Sequence, residues 1–251
     1  MTLKIKAISV FITISFAIMI FTNRSNAGEL HFITEELPPN NYTENGQIKG
    51  IAVDLLREIW RRSGKPPQPI QVLPWSQGYE LILKKPGTVL FSMARLGTRE
   101  NTFKWAGPVI SVKFVLFAKK DKIKPESLRN LKQFRFGAII NEAGEFLLLE
   151  QGVPSQNIDR STTNAKMVKK LTTGKIDMIA FSELATQELF DKKGLDPRQF
   201  EAVGTLSGSS LWYAFHKDVP NEVVESYQKA LDAIKSDGTY DKITNKYLKK
   251  K

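Results

Sequence analysis

Hydrophobic positions along the chain switch repeatedly between runs short enough for a strand and spacings of three and four that suit a helix. Residues 30–34 read as a strand. Residues 51–63 place Ile51, Leu55, Ile59 and Trp60 on one helical face, with Gly64 as a stop and Pro66-Pro67 blocking continuation. Strands are expected at 69–73 and 88–92 around a helix at 76–84, and a long β-rich run covers 109–118. The alternation then restarts with a strand at 134–140 and helices at 145–151 and 164–173, ended by Gly152 and Gly174. A strand at 176–181 and a helix at 182–192 follow, then strands at 200–203 and 211–215. The helix at 220–236 carries Val223, Tyr227, Ala230, Leu231 and Ile234 at helical spacing, and a last one carries Tyr240, Ile243 and Tyr247. Alternating strands and helices imply an α/β fold with mostly parallel sheets flanked by helices. Ligands of such sheets collect beyond the carboxyl ends of the strands. That rule draws attention to Glu35 and Glu36, Trp75, Ala94 and Arg95, Asn141 and Glu142, and Ser182 and Glu183.

The first 27 residues break the pattern. Lys4 and Lys6 precede an apolar stretch at 7–21, and Ser25 and Ala27 stand at −3 and −1 before Gly28. This is the layout of a cleavable export signal, with cleavage expected after Ala27. The apolar stretch is shorter than the roughly 20 residues that a membrane-spanning helix needs. Without Lys4, Lys6 and Arg24 the net charge falls from +11 to +8. That surplus is spread along the chain with no aromatic–basic module, so no nucleic acid partner is expected. The chain has no cysteine, which excludes disulfides, thiolate metal sites and a lipidated N-terminal Cys. A soluble exported product of this kind fits the periplasm.

Four local patterns, in order, carry a family likeness. They are Thr34-Glu35-Glu36-Leu37-Pro38-Pro39 leading to Gly46 through Gly50 to Asp54-Leu55; Ser92-Met93-Ala94-Arg95 with Thr98-Arg99 and Phe103-Lys104-Trp105; Leu171-Thr172-Thr173-Gly174-Lys175-Ile176-Asp177; and Ala230-Leu231 through Lys235-Ser236-Asp237-Gly238-Thr239-Tyr240. Together they resemble the bacterial extracellular solute-binding proteins of family 3, the polar-amino-acid receptors of ABC importers. The resemblance implies a two-lobe, hinged periplasmic-binding-protein-like (type II) fold. Lobe 1 is expected at 28–112 with a return segment at 209–251, and lobe 2 at 113–208. Residues 109–118 and 204–210 would be the connections. It further implies a monomer whose partners are a small-molecule ligand and the membrane permease subunits of the importer, with no metal or cofactor.

The same resemblance implies that Arg99 grips a ligand carboxylate, a role suited to the planar fork of a guanidinium. Ser92 and Ala94 would help through hydroxyl and backbone, and Arg95 would add charge or sit at the rim. Trp75 is placed at the pocket wall, with Tyr42 and Tyr79 there or in the core; Trp60, Trp105 and Trp212 are assigned to packing. Two departures stand out. Ser182 occupies the position where amino-acid-binding members carry an ammonium-pairing Asp. Asn141-Glu142 replaces a turn whose amides would face an anion. Glu35, Glu36, Glu142 and Glu183 are therefore candidate partners for a ligand ammonium, and a cationic or larger carboxylate-bearing molecule is favoured over a standard α-amino acid. No catalytic residue is assigned: His31 and His216 fall on expected strands and no nucleophile-elbow pattern occurs. The alternatives are a dehydratase-like enzyme on the same fold and a sensor that hands its closed form to a membrane receptor.

Overall fold

The computed structural model describes residues 30–248; the expected export signal at 1–27 lies outside the described residues. The chain begins with β1 (His31–Thr34), a hairpin of β2 (Tyr42–Glu44) and β3 (Gln47–Lys49), α1 (Ile51–Arg62), β4 (Ile70–Val72), α2 (Trp75–Lys84), β5 (Thr88–Ala94) and β6 (Phe103–Lys119). It continues with β7 (Phe136–Ile139), α3 (Ala143–Glu150), β8 (Ile158–Ser161), α4 (Asn164–Thr172), β9 (Met178–Ser182) and α5 (Glu183–Lys192). The closing elements are β10 (Phe200–His216), α6 (Asn221–Ser236) and α7 (Thr239–Leu248).

All strands except the β2–β3 hairpin join one mixed sheet in the order β4-β1-β5-β10-β6-β9-β7-β8. Pairing is parallel within β4-β1-β5 at one end and within β9-β7-β8 at the other. Between them run β6 and β10, each 17 residues long, antiparallel to one another and to β5 and β9. The first part of β6 and the last part of β10 belong to the β5 side, and their other parts to the β9 side.

The sequence pattern implies two separate strands at 200–203 and 211–215, and the family resemblance a connection at 204–210. The structure joins them into a single strand, because 204–210 pairs continuously with β6, with shifts of register at Ala202/Gly204 and Thr205/Ser207. Gly and Ser have little strand preference of their own. Here the partner strand supplies the ladder.

Apolar residues cover each end separately. On one side α1 and α6 pack over Phe32, Phe91, Tyr213 and Phe215. Tyr213 donates to the carbonyl of Ala52 at 2.8 Å and Trp60 Nε1 to the Tyr227 hydroxyl at 3.1 Å. On the other side Phe136, Leu148, Ile158 and Met178 cluster. A third cluster crosses from one side to the other, joining Leu37, Trp75 and Leu90 to Phe114, Ile139 and Phe181.

Three strands, β2, β3 and β8, escaped the sequence reading. The β2–β3 hairpin turns on Asn45-Gly46, both at positive φ (51° and 75°), the dipeptide that two-residue hairpin turns favour. β8 is a four-residue edge strand whose middle positions, Asp159 and Arg160, are polar. The loop after β1 is pinned to α1 by Ile51 N–H to Pro39 O (3.1 Å) and Ala52 N–H to Asn40 O (2.9 Å). Gly50, at φ 128°, allows this: a Cβ there would overlap the Asn40 carbonyl.

Candidate functional site

A cavity of about 460 Å³ lies where the carboxyl ends of β1, β4, β7, β8 and β9 converge, as expected for α/β sheets. One wall is Glu35, Glu36, Leu37, Pro38 and residues 72–75. The facing wall is Ile139, residues 162–165, Phe181 and the α5 side chains Ala185, Leu189 and Lys192, with Lys193 at its end. The walls are mostly apolar, and this size is in the range of small-molecule sites.

Glu35 is the buried charge on that lining, 6% exposed. Its backbone is held by Asn41, whose Nδ2 donates to the Glu35 carbonyl at 2.6 Å. Asn41 is fixed in turn by the hydroxyl of Ser92, which donates to its Oδ1. Among the described residues no hydrogen bond or ion pair reaches the Glu35 carboxylate. Burial pushes its pKa well above the ordinary range; neighbouring Glu142 adds to the rise and Arg99 opposes it.

Arg99 ends a short 3-10 turn after β5 and is 1% exposed. It stands behind the cavity wall, and the lining does not include it. Its Nη1 donates to the Ala94 carbonyl at 3.0 Å and its Nη2 to the Asn141 carbonyl at 2.6 Å. The same Asn141 oxygen accepts from Trp75 Nε1 at 2.8 Å. The rings of Trp75, Tyr79 and Phe146 surround the guanidinium at 5.5, 5.3 and 5.0 Å, a cation–π setting. Its Nε is buried without a partner among the described residues. Burial lowers the Arg99 pKa, opposed by Tyr79, Glu142 and Glu35.

Glu142 caps α3, its Oε2 accepting from the Gly144 amide at 3.0 Å. It is 7% exposed, and burial raises its pKa to about 7 despite the Gly144 and Ala143 amides and Arg99. Gly144 lets the helix start against β9, since a Cβ there would overlap the Ala180 carbonyl.

The sequence model of the bacterial extracellular solute-binding proteins, family 3, matches residues 30–250. The chain belongs to that family. It is 24% identical to a probable amino-acid-binding protein, YxeM, of Bacillus subtilis over 220 residues, which is 84% of this chain and 80% of that one. It is also 24% identical to the histidine-binding periplasmic protein of Escherichia coli K12, covering 84% and 83%. Among solved structures, a histidine kinase sensor domain similar to periplasmic binding proteins superposes with a TM-score of 0.77 (18% identity, 88% of this chain, 96% of that one). An arginine-binding protein of T. maritima gives 0.74 (21% identity, 88% and 96%). The fold is therefore the α/β periplasmic-binding-protein type, and the chain is a member of a family of extracellular solute-binding proteins, not of enzymes.

Of the residues that the sequence singled out, this solute-binding protein brings Glu35, Glu36 and Trp75 to the cavity wall. Arg99, Ala94, Asn141 and Glu142 gather behind Trp75, and Ser92 acts on Glu35 through Asn41. Arg95 pairs with Glu100 and lies over the Trp212 ring at 4.6 Å, off the lining. Tyr42 carries Lys192 over its ring at 4.5 Å. Ser182 caps α5, accepting from Ala185 N at 3.5 Å, and Glu183 pairs with Lys113 at 3.5 Å; neither lines the cavity. Sequence reasoning missed residues 162–165, which follow β8. The carboxyl-end rule would have found them had that polar edge strand been recognised.

Proposed function

We propose that the protein is an exported, periplasmic receptor that captures a small amino-bearing solute, an amino acid or amino-acid-like molecule, and presents it to the permease subunits of an ABC-type importer. The observation that carries this reading is Glu35, a buried residue on the lining of a cavity whose walls come from both ends of the sheet, with no hydrogen bond or ion pair to its carboxyl group among the described residues. A desolvated carboxylate gains most from a cation delivered into contact with it. The two lobes are inferred at 28–112 with 209–251 and at 113–208. Between them β6 and β10 would act as a paired hinge, their middle residues half-buried or exposed. Closure is favoured to the extent that the solute touches both walls. The relatives described above as amino-acid-binding and histidine-binding support an amino-bearing ligand, and cleavage after Ala27 would release the mature receptor.

A second reading assigns a ligand carboxylate to Arg99. The unpartnered Nε of Arg99 favours it. The Asn141 and Ala94 carbonyls take two of the five N–H donors of the guanidinium, and the other three remain for a carboxylate.

A thermal-shift screen with amino acids, opines and amines tests the receptor reading. Ligand at 100 times its Kd contributes about 2.7 kcal/mol, a rise of roughly 5–10 °C for a chain of this size. The response is expected to vanish in Glu35→Ala. A full response in that variant would remove Glu35 from the site, and silence across the screen would remove the receptor reading.

A further inference from the structure

We propose that the pole of β7 and β9 opposite the cavity is a docking surface for a membrane that carries anionic phospholipid. Docked there, the protein stays close to the bilayer while its cavity remains uncovered. This goes beyond the receptor reading and is tested without any solute.

The cavity lies at the carboxyl ends of β7, β8 and β9. At the other end, β7 and β9 start beside the point where β6 finishes and β10 begins. Ala118 pairs with Met178, Lys119 with Phe200, and Phe136 with Met178. The loop after β6 and the end of α4 meet at this pole. Lys119 Nζ donates to the Thr172 carbonyl at 2.6 Å, and the Asp177 amide to the Arg135 carbonyl at 2.8 Å. Read along the chain, the positive surplus is spread out; the fold collects most of it here, since two segments distant in sequence come together. Residues 119–135 hold seven basic and two acidic side chains, and 169–177 three and one, which leaves +7 of the formal +8 carried by residues 28–251.

These cations are available to a partner. Lys120, Lys122, Lys124, Arg129, Lys132 and Lys175 are exposed, and among the described residues none of them is in an ion pair. Arg135 is the exception, 4.0 Å from Asp177, and Asp121 and Glu126 are the acids of the loop. The apolar side chains of the same loop, Leu128, Leu131 and Phe134, pack inward on the cluster that holds Phe136 and Ile158. The pole therefore presents charge without an apolar anchor. Interfaces between proteins are built on aromatic and apolar anchors and are poor in lysine. A pocket for one particular anion would use the planar fork of a fixed arginine. Exposed lysines on a loop suit a surface of many negative headgroups, where each cation adds attraction without a fixed geometry. Such docking is reversible, because salt screens it.

The test is co-sedimentation of residues 28–251 with vesicles of phosphatidylcholine, alone or mixed with phosphatidylglycerol, in low and in high salt. Binding to the mixed vesicles in low salt is expected to be at least about tenfold tighter than to the neutral ones, and to fall about tenfold or more in high salt. The variant Lys122→Gln/Lys124→Gln/Lys132→Gln should weaken it about tenfold or more. Lys217, Lys229 and Lys242 are exposed after β10, on α6 and on α7. Changing all three to Gln removes the same charge from the far side of the molecule and should alter binding by no more than about threefold. Lys120→Gln/Lys175→Gln serves if the first variant does not fold. Equal binding to the two kinds of vesicle overturns the proposal. So does an equal loss in the two triple variants, which would assign the attraction to overall charge. Retention by duplex DNA without binding to any vesicle also overturns it. None of these results bears on solute capture, which the thermal-shift screen decides separately.

Discussion

Arg99 and Asn141 stand 42 residues apart in the chain, yet the guanidinium of the first donates to the backbone carbonyl of the second at 2.6 Å. Arg99 follows β5 and Asn141 follows β7, so the bond ties the two ends of the sheet together beside the cavity. The acceptor is main chain, so the tie depends on the residue type at 99 and hardly on that at 141. Arg99→Ala is expected to cost about 3 kcal/mol, since two carbonyls lose a charged donor. Asn141 sits at φ 59°, where glycine is at ease, so Asn141→Gly should stay within about 1 kcal/mol of the wild type. Urea unfolding midpoints check both; equal losses in the two variants would contradict the assignment.

Trp75 makes two separable contributions, a wall and an indole N–H to the same Asn141 oxygen. Trp75→Phe should lose the hydrogen bond and part of the packing, about 2 kcal/mol. Trp75→Ala should lose about 3–5 kcal/mol by opening a void in the buried cluster. Ligand affinity is expected to survive the first change and not the second, which paired stability and binding measurements would show.

Glu35 trades stability for binding. Among the described residues nothing pairs with its carboxyl group, and burial holds the proton on it, so Glu35→Gln should stabilise the ligand-free state only at pH values where the buried acid would otherwise ionise, while weakening amine binding at least tenfold. A thermal midpoint below that of the wild type would show that Glu35 is satisfied in the free protein.

Glu35 and Glu142 both titrate above the ordinary carboxylate range, Glu142 at about 7 against an ordinary 4.5. Between those values the folded chain holds a proton that the unfolded chain has released, so ligand-free stability should fall as pH rises through that window. A cation favours the ionised acids. Amine affinity should therefore rise over the same window, with protons released on binding. Arg99, Glu36 and Glu145 also act on the pair and set where the window lies. Calorimetry in two buffers of different ionisation enthalpy measures the release; none at pH 6 would contradict the shifts.

Arg95 provides a contrast. It is held by Glu100 and the Trp212 ring, away from the cavity. Arg95→Ala should leave ligand affinity within twofold and cost about 1 kcal/mol of stability at most. A tenfold loss of affinity would return it to the site.

Much of the architecture could be read from periodicity and stop signals. Gly64, Gly152, Gly174 and Gly194 fall just past the ends of α1, α3, α4 and α5 and take positive φ, as glycine past a helix end should. The carboxyl-end rule led to Glu35, Glu36 and Trp75 because a strand end can be located by local pattern alone. β8 and the central part of β10 were not legible, since polar, glycine and serine residues become strand only when a neighbour offers its ladder.

By itself, then, the sequence determined the alternating elements, the family and the set of charged and aromatic groups near the strand ends, since those follow from local spacing and motif order. Tertiary structure alone decided which of those groups remain available. Arg99 is engaged and Glu35 is not because sheet order brings the Asn141 and Ala94 carbonyls to the guanidinium and, among the described residues, brings no donor to the carboxyl group. Hydrogen bonds between segments distant in the chain leave no trace in residue spacing.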